Sequence, residues 1–405
     1  MKVCLITYGC KVNQAESQKW EKLLRLKGYL ITNDENDADC WIINTCAVTH
    51  KAEVQSRQII NKAKKFGKRI VVTGCYAELC RLPESENLKV VSNQKKETLT
   101  DQFKFLCKGD SLNISRHRVI VKIQDGCNHF CSYCIVPYLR GKPRSYRIEE
   151  IISEIKDYES MGIREIVLSG INIGLYGTDF GNTVNLKYLL KVILKETSNL
   201  RIRLSSIEQN YIDEEFLDII SDRRICKHLH IPLQHGSDRI LYLMNRPYKV
   251  FHFIEKIEKI LKLYPQIAIG SDIIVGFPSE TEEDFKKTLK LIEKTDFSYL
   301  HVFTYSERPF TKASKMSEQV PYDVRKERAN CLIEVSKSKR VEYIKKFLGS
   351  ELEVIVENKR NGLFSATSDN YIKCLIDKQG LVSGNLIKVY VRDIHGDHAI
   401  ADTVN

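Results

Sequence analysis

VIVKIQDGCNHFCSYCIVPYLRG, residues 119–141, runs from an apolar, β-branched strand pattern at 119–124 straight into cysteines at 127, 131 and 134. The spacing is Cys-x3-Cys-x2-Cys. A structural zinc or a ferredoxin-type cluster takes four protein ligands, and this loop supplies three thiols. A 4Fe–4S cubane held by three cysteines keeps one iron open, and an open position is how a metal site admits a substrate or cofactor. In α/β folds such sites lie just past the carboxyl ends of strands, where this loop falls.

Downstream the strand pattern recurs as "EIVLSG" (165–170), "RIRLSS" (201–206), "HLHIPL" (228–233), "IAIGSDIIVG" (267–276) and "YLHVFTY" (299–305). Helical periodicity fills the gaps, at 148–160, 184–196, 251–263 and 281–294. Six β–α repeats are too many for a small doubly wound domain and short of the eight in a closed barrel. The pattern predicts a partial, open (β/α)6 barrel over 119–320.

Upstream, residues 1–108 alternate the strand runs "VCLITYG" (3–9), "CWIINTC" (40–46) and "RIVVTGC" (69–75) with helical stretches at 15–28 and 50–66. That alternation predicts an open parallel α/β domain. Its strands end at Cys10, Cys46 and Cys75, so three thiols from equivalent strand ends converge on a second three-thiol site. Residues 109–118 read as a connector. Residues 321–347 read as a basic helix. From 348 to 405 short strands split by Gly and Asn turns predict a small all-β barrel.

Thirteen cysteines and a net charge of +11 set the bulk constraints. An odd thiol count in a chain with no secretory leader pattern argues for metal or redox use rather than a disulfide framework. Cys4, Cys107, Cys226, Cys331 and Cys374 sit in apolar surroundings that suit buried spectators. No apolar run reaches the roughly 18–20 residues of a membrane span, so a cytoplasmic protein is expected. The basic surplus suits a polyanionic partner such as RNA. It lies in 1–108 (19 Lys/Arg against 12 Asp/Glu) and 321–347 (8 against 4), whereas 348–405 is slightly acidic (6 against 8).

Cys127, Cys131, Tyr133 and Cys134 together resemble the radical S-adenosylmethionine (SAM) signature, Cys-x3-Cys-x-aromatic-Cys. "TYGCKVNQAES", "NTCAVT", "VTGCYAE", "LSGINIGLYG", "RLSSIE", "LQHGSDRILYLMNR" and "DIIVGFPSETEEDF" extend the likeness to the methylthiotransferases over the whole chain. The resemblance implies two 4Fe–4S clusters, a SAM-cleaving one on Cys127, Cys131 and Cys134 and an auxiliary one on Cys10, Cys46 and Cys75. It implies SAM as radical source and methyl donor, and a C-terminal TRAM-like barrel that binds tRNA. "GCKVNQ" and "CAVTHKAEVQSRQ" look most like the branch acting on threonylcarbamoyladenosine beside the anticodon of ANN-decoding tRNA (the MtaB type). The isopentenyladenosine branch and the branch that modifies a ribosomal-protein aspartate are the alternatives of the same mechanism. A non-catalytic iron–sulfur or zinc RNA-binding protein, with His129 as a fourth ligand, is the alternative of another class. A monomer served by an electron donor such as flavodoxin or ferredoxin is expected.

Further expectations attach to single residues. Tyr133 packs on the adenine, and the backbone of Ser169 and Gly170 holds SAM. Glu208, Gln234 and Glu280 sit at strand ends, where each contacts SAM or caps a helix. Arg140, Lys142, Arg144 and Arg147 form a basic loop that positions RNA phosphates or is simply solvated. His129 and His235 are expected at the polar edge of the site.

Overall fold

The computed structural model describes residues 1–65, 67–104, 106, 118–181, 184–360 and 362–404. The connector predicted at 109–118 lies outside this set apart from Arg118, as does Cys107.

The first layer is β1 (Lys2–Thr7), α1 (Lys11–Leu26), β2 (Leu30–Thr32), β3 (Cys40–Thr45), α2 (His50–Lys65), β4 (Arg69–Gly74), α3 (Cys75–Cys80) and β5 (Leu88–Val91). Its strands form one parallel sheet in the order β2-β1-β3-β4-β5. The β-branched runs become its middle: β3 is buried along its whole length, as parallel strands covered on both faces must be. The edge strands β2 and β5 escaped the sequence pattern because each is short and partly exposed.

The second unit begins with β6 (Val119–Lys122), β7 (Gln124–Asp125), α4 (Val136–Arg140), β8 (Arg144–Ser145), α5 (Ile148–Ser160), β9 (Glu165–Ser169) and α6 (Leu186–Glu196). It continues through β10 (Arg201–Leu204), α7 (Glu214–Ile220), β11 (His228–His230), α8 (Asp238–Leu243), α9 (Val250–Leu263), β12 (Ala268–Val275), α10 (Glu282–Lys294) and β13 (Tyr299–Thr304). Strands β6, β9 and β10 pair in parallel, as do β11, β12 and β13. Single parallel bridges, Ile202 to Ile225 and Ser206 to His230, join the two halves into a six-stranded open arc. Helix starts follow local chemistry: Thr281 and Asp284 form a reciprocal capping box on α10, and Asn185 and Asp213 cap α6 and α7.

The open arc is closed by its neighbours. Helix α1 lies along the free edge of β6, and Gln18 Oε1 accepts the Ile120 amide at 2.8 Å. A long helix, α11 (Tyr322–Lys345), leads to β14 (Glu351–Arg360), β15 (Leu363–Ser368), β16 (Lys373–Ile376), β17 (Leu386–His395) and β18 (His398–Thr403), which form a closed barrel. That barrel plugs the amino-terminal end of the arc. Arg201 and Arg203 donate to the carbonyls of Glu353, Thr367, Ser368 and Asp369, and the Tyr371 ring lies 4.3 Å from His228. Among the described residues no helix is long and apolar enough to cross a membrane.

Candidate active site

Cys10 caps α1, Cys46 follows β3 directly, and Cys75 opens α3 straight after β4. Because β1, β3 and β4 are adjacent and parallel, the three thiols gather at one end of the sheet. Gly9 makes this possible. It has φ +97°, and a Cβ there would stand 2.6 Å from Cys46 Cβ and 2.7 Å from its Sγ. Asn13 ties the loops together, donating to the carbonyls of Tyr8 at 2.8 Å and Thr45 at 2.9 Å. Burial, then the neighbouring Cys75, pushes the Cys46 thiol up to about 12.

The second triplet sits on the loop after β6. The Cys127 amide donates to the Gly141 carbonyl at 3.0 Å, the His129 amide to Cys127 Sγ at 3.5 Å, and Arg246 Nη1 to Cys131 Sγ at 3.4 Å. Gly126 turns the chain into this loop at φ +71°; a Cβ there would lie 2.1 Å from the Lys142 carbonyl. Burial, then Cys131, pushes the Cys134 thiol up to about 12. Loading either site with metal therefore displaces protons.

All six cysteines are free. Neither triplet brings all three of its sulfurs within 4.8 Å of one another. A tetrahedral zinc, with Zn–S near 2.3 Å, holds them about 3.8 Å apart. Three sulfurs spaced more widely than that suit a larger, thiolate-held body, and in the second triplet N–H donors are already aimed at Cys127 and Cys131. Ser169 and Ser205, at the carboxyl ends of β9 and β10, keep buried hydroxyls without a partner among the described residues, which leaves them available to a polar ligand.

The remaining candidates divide. Tyr133 is partly exposed and packs against Ile240, Met244, Phe277, Tyr305 and Ala313. Gly170 lies tight against Gln124, whose Oε1 would be 2.9 Å from an added Cβ. Glu208 pairs with Arg246, linking it to Cys131, and its side chain caps nothing. Gln234 is buried in a left-handed conformation, φ +72°, a strained state that marks functional loops. His129 is half-buried at the edge and meets the Tyr211 hydroxyl at 3.3 Å.

Three expectations are corrected. Glu280 does not face the site: its carboxylate is fully buried, 2.9 Å from Arg328 Nη1, and accepts the Phe277 amide at 3.0 Å. His235 is wholly buried beside Thr288 and Ser237 rather than at an edge. Arg140 is 2% exposed and meets no solvent phosphate. It donates to Asn13 Oδ1 at 2.5 Å, Glu16 at 3.0 Å and Asp125 at 3.0 Å. Lys142, Arg144 and Arg147 do stay exposed.

Arg140 thus joins the two triplets: it follows Cys134 by one short helix and grips Asn13, three residues after Cys10. Lys96 and Lys122 complete this buried cluster at 2.7 and 2.8 Å from Glu16. Burial alone would raise the Glu16 pKa, but Lys122, Lys96 and Arg140 hold it well below the usual carboxylate range. In the arc's interior, His230 Nε2 and His301 Nδ1 flank Asp272 Oδ1 at 2.8 and 3.3 Å. Tyr299 links His230 to His228 Nε2 through its hydroxyl, so the three groups around Asp272 are held in a hydrogen-bonded chain that ends at His228, whose buried Nδ1 has no partner among the described residues. The basic helix predicted at 321–347 is α11, and it turns two of its basic side chains inward: Arg328 to Glu280, and Arg340 to the Tyr371 carbonyl.

Residues 121–292 match the Radical SAM superfamily, and residues 2–93 match "Uncharacterized protein family UPF0004". A threonylcarbamoyladenosine tRNA methylthiotransferase MtaB of Aquifex aeolicus is 38% identical, covering 96% of this chain and 100% of that protein. The protein of that name in Bacillus subtilis is 36% identical, over 96% and 93%. A tRNA-2-methylthio-N(6)-dimethylallyladenosine synthase of Fervidobacterium nodosum is 37% identical, over 90% of each. Among solved structures, the radical SAM methyltransferase TsrM of Kitasatospora setae superposes with a TM-score of 0.55 over 77% of this chain and 75% of its own, at 14% identity, a likeness of fold alone.

Proposed function

Because the chain belongs to the radical SAM tRNA methylthiotransferase family, we propose that it converts N6-threonylcarbamoyladenosine at tRNA position 37 into its 2-methylthio derivative. Enzymes of this family use SAM and 4Fe–4S clusters. Cys127, Cys131 and Cys134 hold the SAM-cleaving cluster in this reading, and Cys10, Cys46 and Cys75 the auxiliary one. So loaded, the site supplies the one-electron chemistry that exchanges an unactivated aromatic C–H for sulfur, with a second SAM as methyl donor. The protein's own part is to hold and orient. Arg246 and the His129 amide donate to thiolate sulfurs, Tyr133 and the Ser169–Gly170 backbone border the SAM, and Gln234 holds its loop. Arg140 fixes one triplet against the other. Lys142, Arg144, Arg147 and the closed C-terminal barrel carry tRNA. The enzyme works as a monomer on ANN-decoding tRNAs, fed by a flavodoxin or ferredoxin.

Lys11 carries the choice of substrate. It directly follows Cys10, is half-buried, and its ammonium makes no ion pair or hydrogen bond among the described residues. Burial, then Arg203 and Arg118, pushes its pKa down to about 8, with Asp272 and Glu165 only partly opposing them. The threonylcarbamoyl group brings a carboxylate, whereas an isopentenyl group brings none. C2 and the N6 substituent flank the same ring nitrogen, so bringing C2 to the auxiliary triplet brings that carboxylate towards Lys11. The second reading, isopentenyladenosine, is favoured by the Fervidobacterium nodosum relative.

The test is reconstituted enzyme offered tRNA bearing either nucleoside. Threonylcarbamoyladenosine should be modified and isopentenyladenosine left alone. Lys11→Gln should cut kcat/KM for the former about 10- to 100-fold, the worth of a charge-assisted contact, without slowing SAM cleavage. Equal use of both tRNAs, or an indifferent Lys11→Gln, overturns the assignment. Gly9→Ala is a second check, since its Cβ would enter Cys46. Iron per chain should fall by about half while tRNA-free SAM cleavage persists; full iron content contradicts the assignment of Cys46.

A further inference from the structure

We propose that Phe130, Tyr138 and Phe310 form a platform on which an unpaired base next to the target adenosine stacks; this rests on the tRNA reading above. The three rings are 48%, 46% and 60% exposed, yet they touch: Phe130 and Tyr138 centroids are 5.8 Å apart, and Tyr138 and Phe310 are 6.1 Å apart. They come from separate places in the chain, the cysteine loop, α4 and the segment after β13. Exposed aromatics drawn from three elements into one patch are not core packing, because half of each ring faces water.

The backbone holds them there at a cost. Phe130 has φ +47° and Phe310 φ +69°, conformations that bulky L-residues rarely adopt. Asn245, itself at φ +57°, donates to the carbonyls of His129 at 3.3 Å and Phe130 at 3.1 Å, fixing the loop in that shape. Thr311 Oγ1 donates to the Arg308 carbonyl at 2.7 Å and does the same for the Phe310 turn. Neighbouring rings stand at 78° and 39° rather than stacked, leaving faces free.

Position names the occupant. Phe130 directly precedes Cys131, so the platform borders the reacting centre. An adenosine whose C2 must reach that centre has to leave its stack, and its neighbours in the loop lose a partner. Aromatic faces replace such a partner without regard to sequence. Lys312, two residues beyond Phe310, and Lys142, beyond α4, are exposed cations flanking the patch on the chain.

The experiment measures binding of the full tRNA to cluster-loaded enzyme across a salt series, for wild type, Phe310→Ala, Tyr138→Ala, Phe310→Tyr and the distant control Phe251→Ala. Phe310→Ala and Tyr138→Ala should each weaken binding about 10- to 100-fold with the salt slope unchanged, because stacking releases no counterions. Phe310→Tyr and Phe251→Ala should bind as wild type, and all should retain full iron and tRNA-free SAM cleavage. Wild-type affinity in both alanine variants, or an equal loss in Phe251→Ala, overturns the platform while leaving the tRNA reading standing. A wild-type enzyme that binds no tRNA overturns that reading itself, and tight binding of a ribosomal protein would show what replaces it.

Discussion

Cys46→Ala is expected to uncouple the enzyme: SAM cleavage continues, and methylthiolation falls to background. Cys127→Ala is expected to abolish both. The asymmetry follows from where the thiols sit. Cys127 belongs to the loop beyond β6, the strand that pairs with β9 and its terminal Ser169. Cys46 follows β3, in the separate parallel sheet of the first layer. Two four-iron clusters give about eight irons per chain, and each variant should retain about four. Simultaneous assay of 5′-deoxyadenosine, methylthio nucleoside and iron reads all three quantities. A Cys46→Ala enzyme that loses SAM cleavage, or a Cys127→Ala enzyme that keeps it, would reverse the assignment of the triplets.

Glu165→Gln is expected to cost about 3–5 kcal/mol of stability, the penalty of leaving buried cations unpaired. Glu165 is wholly buried, with Arg201 Nε at 2.7 Å and Arg203 Nε at 2.9 Å. Those two arginines also hold carbonyls of the C-terminal barrel, so one carboxylate supports the seam between two units. Burial raises the Glu165 pKa, but Arg203 and Arg201 reverse this and hold it far below the ordinary value of 4.5. A group with a depressed folded pKa contributes fully above its unfolded pKa and loses that contribution as pH falls below it. The wild type should therefore lose stability below about pH 4.3 more steeply than Glu165→Gln. Denaturant midpoints from pH 7 down to pH 3.5 measure both effects. A Glu165→Gln loss under about 1 kcal/mol at pH 7 would show that the arginines find compensation elsewhere.

Much of this architecture was legible because periodicity and thiol spacing are local signals. The six barrel strands begin and end within a few residues of their apolar runs, and both triplets declare themselves by position at strand ends. What sequence hid was long-range pairing. Arg140 reads as part of a basic loop with Lys142, Arg144 and Arg147, yet α4 turns it inward to meet Glu16, 124 residues earlier. Glu280 reads as a strand-end carboxylate, yet Arg328 from α11 claims it. Arg246 ends the "LQHGSDRILYLMNR" stretch, yet nothing local to it announces the contact with Cys131, 115 residues earlier. Buried charge is satisfied by whatever the fold brings alongside, and no window of sequence contains that partner.

The most direct test is nucleoside mass spectrometry of tRNA from a bacterial host deleted for its own threonylcarbamoyladenosine methylthiotransferase and expressing this chain. The account predicts restored 2-methylthio-N6-threonylcarbamoyladenosine with wild type and none with either Cys46→Ala or Cys127→Ala. Absence of that nucleoside while soluble, iron-loaded protein accumulates would contradict the account.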